Sequence, residues 1–162
     1  MRKDDVALLF DYLFWLRDRI LAAAAQLPLT DFTSTETVAT RDLRATLVHE
    51  LDVQWSWRER LGAGAFPDAD DLKPQDYETV AAVADHWRRE EAEMRRWLDS
   101  LTEEQLGAPP PGKPDELLLW YYAMHLLSHG IQQFSEAAVL LTQAGHSPGD
   151  IGFLQFAEHR AT

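Results

Sequence analysis

The chain has 162 residues, 46% of them hydrophobic and 26% charged, a formal net charge of −12 and no cysteine. That length suits one domain with a real hydrophobic core, and the balance of residues excludes a disordered or fibrous chain. The excess of 27 acidic over 15 basic residues argues against nucleic acid or an anionic membrane as partner, since both are bound through basic surfaces. Without thiols there can be no disulfide, iron–sulfur cluster or cysteine nucleophile, so any metal must be held by His, Asp or Glu.

In the opening segment MRKDDVALLFDYLFWLRD, Asp4, Asp5 and Asp11 interrupt the apolar positions. It does not read as a signal peptide, and no uncharged stretch approaches the roughly 18 residues a membrane span needs. A soluble, cytoplasmic protein is expected. The first helix is expected from about Asp4 to Gln26, with Val6, Leu9, Leu13, Leu16 and Ile20 on one face and Pro28 marking its end. Residues 27–40, LPLTDFTSTETVAT, have no sustained period and read as a crossing loop with room for a short turn.

Thr40 is the expected cap of a second helix from Arg41 to Leu61, striped by Leu43, Leu47, Leu51, Trp55 and Arg58 and broken by GAGAFP. A third helix is expected from about Asp76 to Leu101. Val80, Val83, Trp87, Met94, Trp97 and Leu98 turn to the core, while RREEAEMRR forms a wet charged face. The four prolines of LGAPPPGKPDE forbid regular helix there. A fourth helix follows from near Asp115 to Ala144, stopped by Gly145 and Pro148. The tail keeps Ile151, Phe153, Leu154 and Phe156, enough apolar surface to dock. Four such helices and no strand pattern predict an all-α, single-domain four-helix bundle. The long first and third connections tell against simple up-down-up-down order.

His125 and His129 form an H-x-x-x-H pair on the fourth helix. Positions four apart share a face with Cβ atoms about 5–6 Å apart, so both imidazoles can reach one ion at about 2.0–2.1 Å. Such a pair is also common as surface decoration or as hydrogen-bonded core. The apolar sequence around it, LWYYAMHLLSHGIQQF, turns both rings inward on this reading. His49, in TLVHELDVQW near the middle of the second helix, can complete a three-nitrogen set that leaves metal positions open, as catalytic sites do.

His86, His146 and His159 read as solvated and are left out of the site. Glu50 and Asp52 flank His49 but point elsewhere on the helix, and Glu136 follows His129 by seven residues on the same face, as a distant acid or base or a surface charge. Among the aromatics Trp15, Trp55, Trp57, Trp120, Tyr121 and Tyr122, core filling is the commoner role, with Tyr121 and Tyr122 the ones placed to line a pocket near His125.

LVHE on the second helix, MHLLSHGIQQ on the fourth and the tail GHSPGDIGFLQF together resemble the DinB family over essentially the whole chain. The resemblance implies a bundle with crossed connectivity, a homodimer, and a divalent metal ion, zinc or nickel, on His49, His125 and His129. Gly130 stands where many relatives carry a basic residue or a second histidine. Gln132 and Gln133 match a polar position, from which either could orient a ligand or a metal-bound water. Some relatives are thiol-dependent transferases or isomerases. The resemblance therefore implies a metal-dependent enzyme of that type, or a hydrolase, acting on a small-molecule substrate with a low-molecular-weight thiol as cosubstrate. Arg41, Arg44 or Arg58 would supply the local basic entrance an anionic thiol needs. The alternative is a non-enzymatic metal-binding stress-response or scaffold protein.

Overall fold

A computed structural model describes residues 2–161. Among them there is no strand. The helices are α1 (Lys3–Ala24), α2 (Leu29–Phe32), α3 (Leu43–Ala63), α4 (Val80–Ser100), α5 (Glu103–Leu106), α6 (Leu119–Gln143) and α7 (Phe153–Ala161), with a 3-10 turn at Pro74–Asp76. The protein is all-helical, and the four long helices fall where the hydrophobic periodicity puts them. No helix among the described residues is long and apolar enough to cross a membrane.

Helix starts differ from expectation for local reasons. Asp42, not Thr40, caps α3: its carboxylate accepts from the Ala45 amide at 2.8 Å and places a negative charge at the positive helix end. Thr79 caps α4, accepting from the Ala82 amide, because residues 74–76 are spent in the 3-10 turn. The Leu119 amide donates to the Ala108 carbonyl at 2.8 Å across the proline-rich loop, and α6 starts there rather than at Asp115. Gly145, at φ 84°, ends α6 as expected, with the His146 amide donating back to the Leu141 carbonyl.

Both α1 and α3 pack against α6 and α4. One continuous cluster of buried side chains fills the space between them, including Leu13, Leu16 and Ile20 of α1, Leu47 and Leu51 of α3, Trp87 and Met94 of α4, and Leu126 and Phe134 of α6. The expected stripe of α3 is corrected at one place. Trp55 is only half-buried, and the inward position belongs to Gln54, whose neighbour one turn earlier is the fully buried Glu50. The tail docks as expected and is helical besides. Phe156 packs against Tyr12 and Trp15, the Tyr12 hydroxyl donates to the Ile151 carbonyl at 2.9 Å, and Arg19 donates to the Pro148 carbonyl at 2.7 Å.

The charged face of α4 is drier than its sequence suggests. Glu90 is 3% exposed and receives a two-pronged bond from Arg58 of α3, at 2.6 Å to Oε1 and 2.8 Å to Oε2. Burial pushes the Glu90 carboxyl up, and the Arg58 guanidinium opposes that push. Removing one partner of such a pair leaves an uncompensated buried charge, whereas replacing both by apolar groups need not be harmful. Arg58→Ala is therefore expected to lower stability by about 3–5 kcal/mol in urea denaturation. The Arg58→Leu/Glu90→Leu double variant should recover most of the loss. A double variant as unstable as the single one would contradict this reading.

Candidate metal centre

The packing of α3 on α6 brings together histidines that lie far apart in sequence. The ring centroids of His49 and His129 are 5.3 Å apart with planes at 66°, and those of His125 and His129 are 5.9 Å apart at 47°. Two imidazoles bound tetrahedrally to one zinc ion at about 2.0–2.1 Å would have centroids about 5 Å apart. The two pairs that share His129 thus stand close to that spacing. As the side chains stand, no group of three or more His, Asp or Glu residues among those described is arranged to hold a metal ion.

The expectation that both α6 rings turn inward is corrected. His125 is an exposed residue whose ring packs edge-on against Trp57, with centroids 5.3 Å apart, while His129 and His49 are half-buried. The reason is helical phase. Leu126, Leu127 and Gly130 occupy the core-facing arc of α6, which leaves His125 at its edge. Loss of hydration is the main influence lowering the proton affinity of both His49 and His125. Arg41 and His129 add to it at His49, and His129 adds to it at His125. Each of these effects favours the neutral ring, the form with a lone pair to donate. The donor set therefore fits a borderline divalent ion in type.

His129 is the most constrained of the three. Its Nδ1 lies 2.6 Å from Oε2 of Glu50, which has no exposure to water, and Gln54 Nε2 donates to the other carboxylate oxygen at 2.8 Å. Burial pushes the Glu50 carboxyl up, against the opposing hydrogen bonds from His129 and Gln54. The carboxylate reaches this place because residue 130 is glycine. A Cβ there would stand 2.7 Å from Glu50 Oε1 and 2.7 Å from Leu13 Cδ1.

Sequence reasoning set Glu50 aside as pointing away from His49. That direction is correct, but the contact with the other histidine helix was missed. The available signal was the acidic residue and Gln54, four apart, on the inward stripe of α3.

A cavity of about 190 Å³ opens beside His49, with Arg41, Asp52, Asp71 and Leu72 among its lining residues. Asp52 accepts from the Leu72 amide at 2.9 Å and so ties the loop after α3 to that wall. Of the three arginines considered as a basic entrance, Arg41 lines this cavity, whereas Arg58 is held by Glu90 and Glu59. A larger cleft of about 490 Å³ lies elsewhere, among Leu27, Glu36, Val38, Leu43 and Leu140.

The other candidates separate clearly. Gln133 is buried with its Oε1 unpartnered, Gln132 is exposed, and Glu136 keeps one buried carboxylate oxygen without a partner. Tyr122 packs on Trp57 and donates to Glu116, so Trp57 rather than Tyr121 is the aromatic touching the histidine cluster. His86 is not simply solvated, being half-buried with Nδ1 2.6 Å from the Tyr77 hydroxyl.

The chain is all-helical and built on four long helices, two of which bring His49 and His129 together. The DinB family profile matches residues 1–161, and the chain belongs to that family. No curated protein matches it.

The tight fit at residue 130 has a direct consequence. Gly130→Ala must displace both Glu50 and Leu13, and overpacking of this kind costs about 1–3 kcal/mol. A fall of that size in urea-unfolding stability is expected, and an unchanged midpoint would contradict the close approach.

Proposed function

We propose that the chain binds one divalent metal ion, zinc or nickel, through His49, His125 and His129, and that the site serves a metal-dependent enzyme acting on a small molecule. The observation that carries this reading is that His129 of α6 has the rings of both His49 of α3 and His125 within 5.3 and 5.9 Å, close to the separation of two imidazoles on one ion. Closing the set on an ion requires ring rotation, for which the half-buried His49 and the exposed His125 have room. A divalent ion held there would acidify a water or thiol and polarise an acceptor oxygen.

The reaction type in this proposal is thiol-dependent transfer or isomerisation, or hydrolysis, with a low-molecular-weight thiol as cosubstrate in the first two cases. The chain has no cysteine, so the sulfur would come from that cosubstrate. The cavity beside His49 gives the substrate a place, and Arg41 is the cationic side chain on its wall, set against the carboxylates of Asp52 and Asp71. Trp57 packs against one edge of the His125 ring. The alternative, a non-enzymatic metal-binding or scaffold protein, is favoured by the position of the larger cleft away from the histidines.

Architecture and assembly belong to the same proposal. A four-helix bundle with crossed connectivity is supported by the shared packing of α1 and α3 against α6 and α4. A cytoplasmic homodimer is carried over from the sequence reading.

Calorimetric titration with zinc should give about one ion per chain. His49→Ala, His125→Ala and His129→Ala should each lose most of the affinity with unchanged helical circular dichroism. His86→Ala should bind as the wild type does, because His86 is engaged with Tyr77. Loss of binding in the His86 variant with retention in His125→Ala would overturn the assignment. Turnover of thiol and electrophile mixtures by zinc-loaded wild type, absent in His129→Ala, would favour the enzyme over the alternative.

A further inference from the structure

We propose that Glu50 is the positioning residue of the metal centre, holding the His129 ring through Nδ1 so that its Nε2 lone pair is the one presented to the ion. The inference rests on the metal-site reading and extends it to a residue that is not itself a ligand.

Three observations meet at this carboxylate. Glu50 is 0% exposed, a burial that is costly for an ionisable side chain unless it is paired and hydrogen-bonded. Each of its oxygens has a separate partner, Oε2 with His129 Nδ1 at 2.6 Å and Oε1 with Gln54 Nε2 at 2.8 Å. The Gln54 contact is a donation from an amide N–H, which suits an accepting carboxylate. With Glu50 ionised both of its oxygens accept, so the contact with His129 is an Nδ1–H donation that leaves Nε2 bare. Third, Gly130 provides the clearance, since a Cβ there would stand 2.7 Å from Oε1. The absence of a side chain after His129 is thus the condition for the carboxylate beneath it.

The two remaining rings lack such an anchor. His125 rests against Trp57, and His49 faces the cavity that Arg41 also lines. One ring of the set is aimed in advance and the others adjust to it. A histidine whose second nitrogen donates to a carboxylate is both oriented and made more basic at the metal-binding nitrogen, and loss of such a partner typically weakens metal binding by about 10–100-fold.

The test uses the full chain, wild type and Glu50→Gln, with zinc as the probe and two readouts. Nitrogen-15 correlation spectra of the metal-free wild type should show His129 protonated on Nδ1. Competition with a chromophoric chelator should show zinc bound roughly 10–100-fold more weakly by Glu50→Gln. Circular dichroism should report the same helical content for both proteins. The spectrum of the wild type needs no variant, so it decides the orientation even if Glu50→Gln folds poorly. Wild-type His129 protonated on Nε2, or zinc affinity unchanged in a folded Glu50→Gln, would overturn the role of Glu50 while leaving the metal site standing. A wild type that binds no zinc would overturn the metal site and this inference with it.

Discussion

The hydrogen bond between the buried carboxylate of Glu50 and the ring of His129 sits at the seam between α3 and α6, and the arrangement of the histidines depends on it. A carboxylate excluded from water would cost several kcal/mol if left alone, whereas hydrogen bonds to a charged group return about 1.5–3 kcal/mol each. The His129 bond forms only when α3 and α6 meet in a register that puts Oε2 at Nδ1, while Gln54, one turn further along α3, holds Oε1. That register also carries His49, the residue next to Glu50 in the chain, to the His129 ring.

The surrounding core is arranged around the same seam. Gly130 gives up its side chain so that Glu50 and Leu13 can approach α6. On the other flank of α3, Arg58 pairs with Glu90 of α4 and supplies a second directional link in a core otherwise made of interchangeable apolar contacts. Hydrophobic burial holds the helices together without fixing their rotation or sliding. Two polar links from α3, one to α6 and one to α4, add directional preferences that the apolar contacts lack. In this account the polar positions of α3 are what turn a collapsed helical chain into one with three imidazoles in a single cluster.

Much of this was legible in the sequence because it follows from periodicity. The apolar steps of the long helices, Gly145 as a stop and the prolines of residues 109–114 are local signals, and the structure follows them to within a few residues. The three histidines were legible for the same reason: two share a helical face, and the third lies mid-helix in an apolar run. What could not be read locally was rotation about a helix axis and the identity of the partner across an interface. The apolar neighbours of His125 suggested a buried ring, yet its phase on α6 leaves it at the edge against Trp57. Glu90 looked like part of a wet charged ribbon until Arg58 of another helix was placed opposite it. Glu50 was seen beside His49, where it does nothing direct, and its contact with His129, 79 positions away, is a tertiary fact.

Convergence of the three histidine rings on one ion can be seen by diffraction at the zinc absorption edge from crystals grown with zinc. A single strong anomalous peak per chain is expected within bonding distance of nitrogens from His49, His125 and His129, with Glu50 still on Nδ1 of His129. A peak seated on other residues, or crystals with no peak between these rings at saturating zinc, would contradict it.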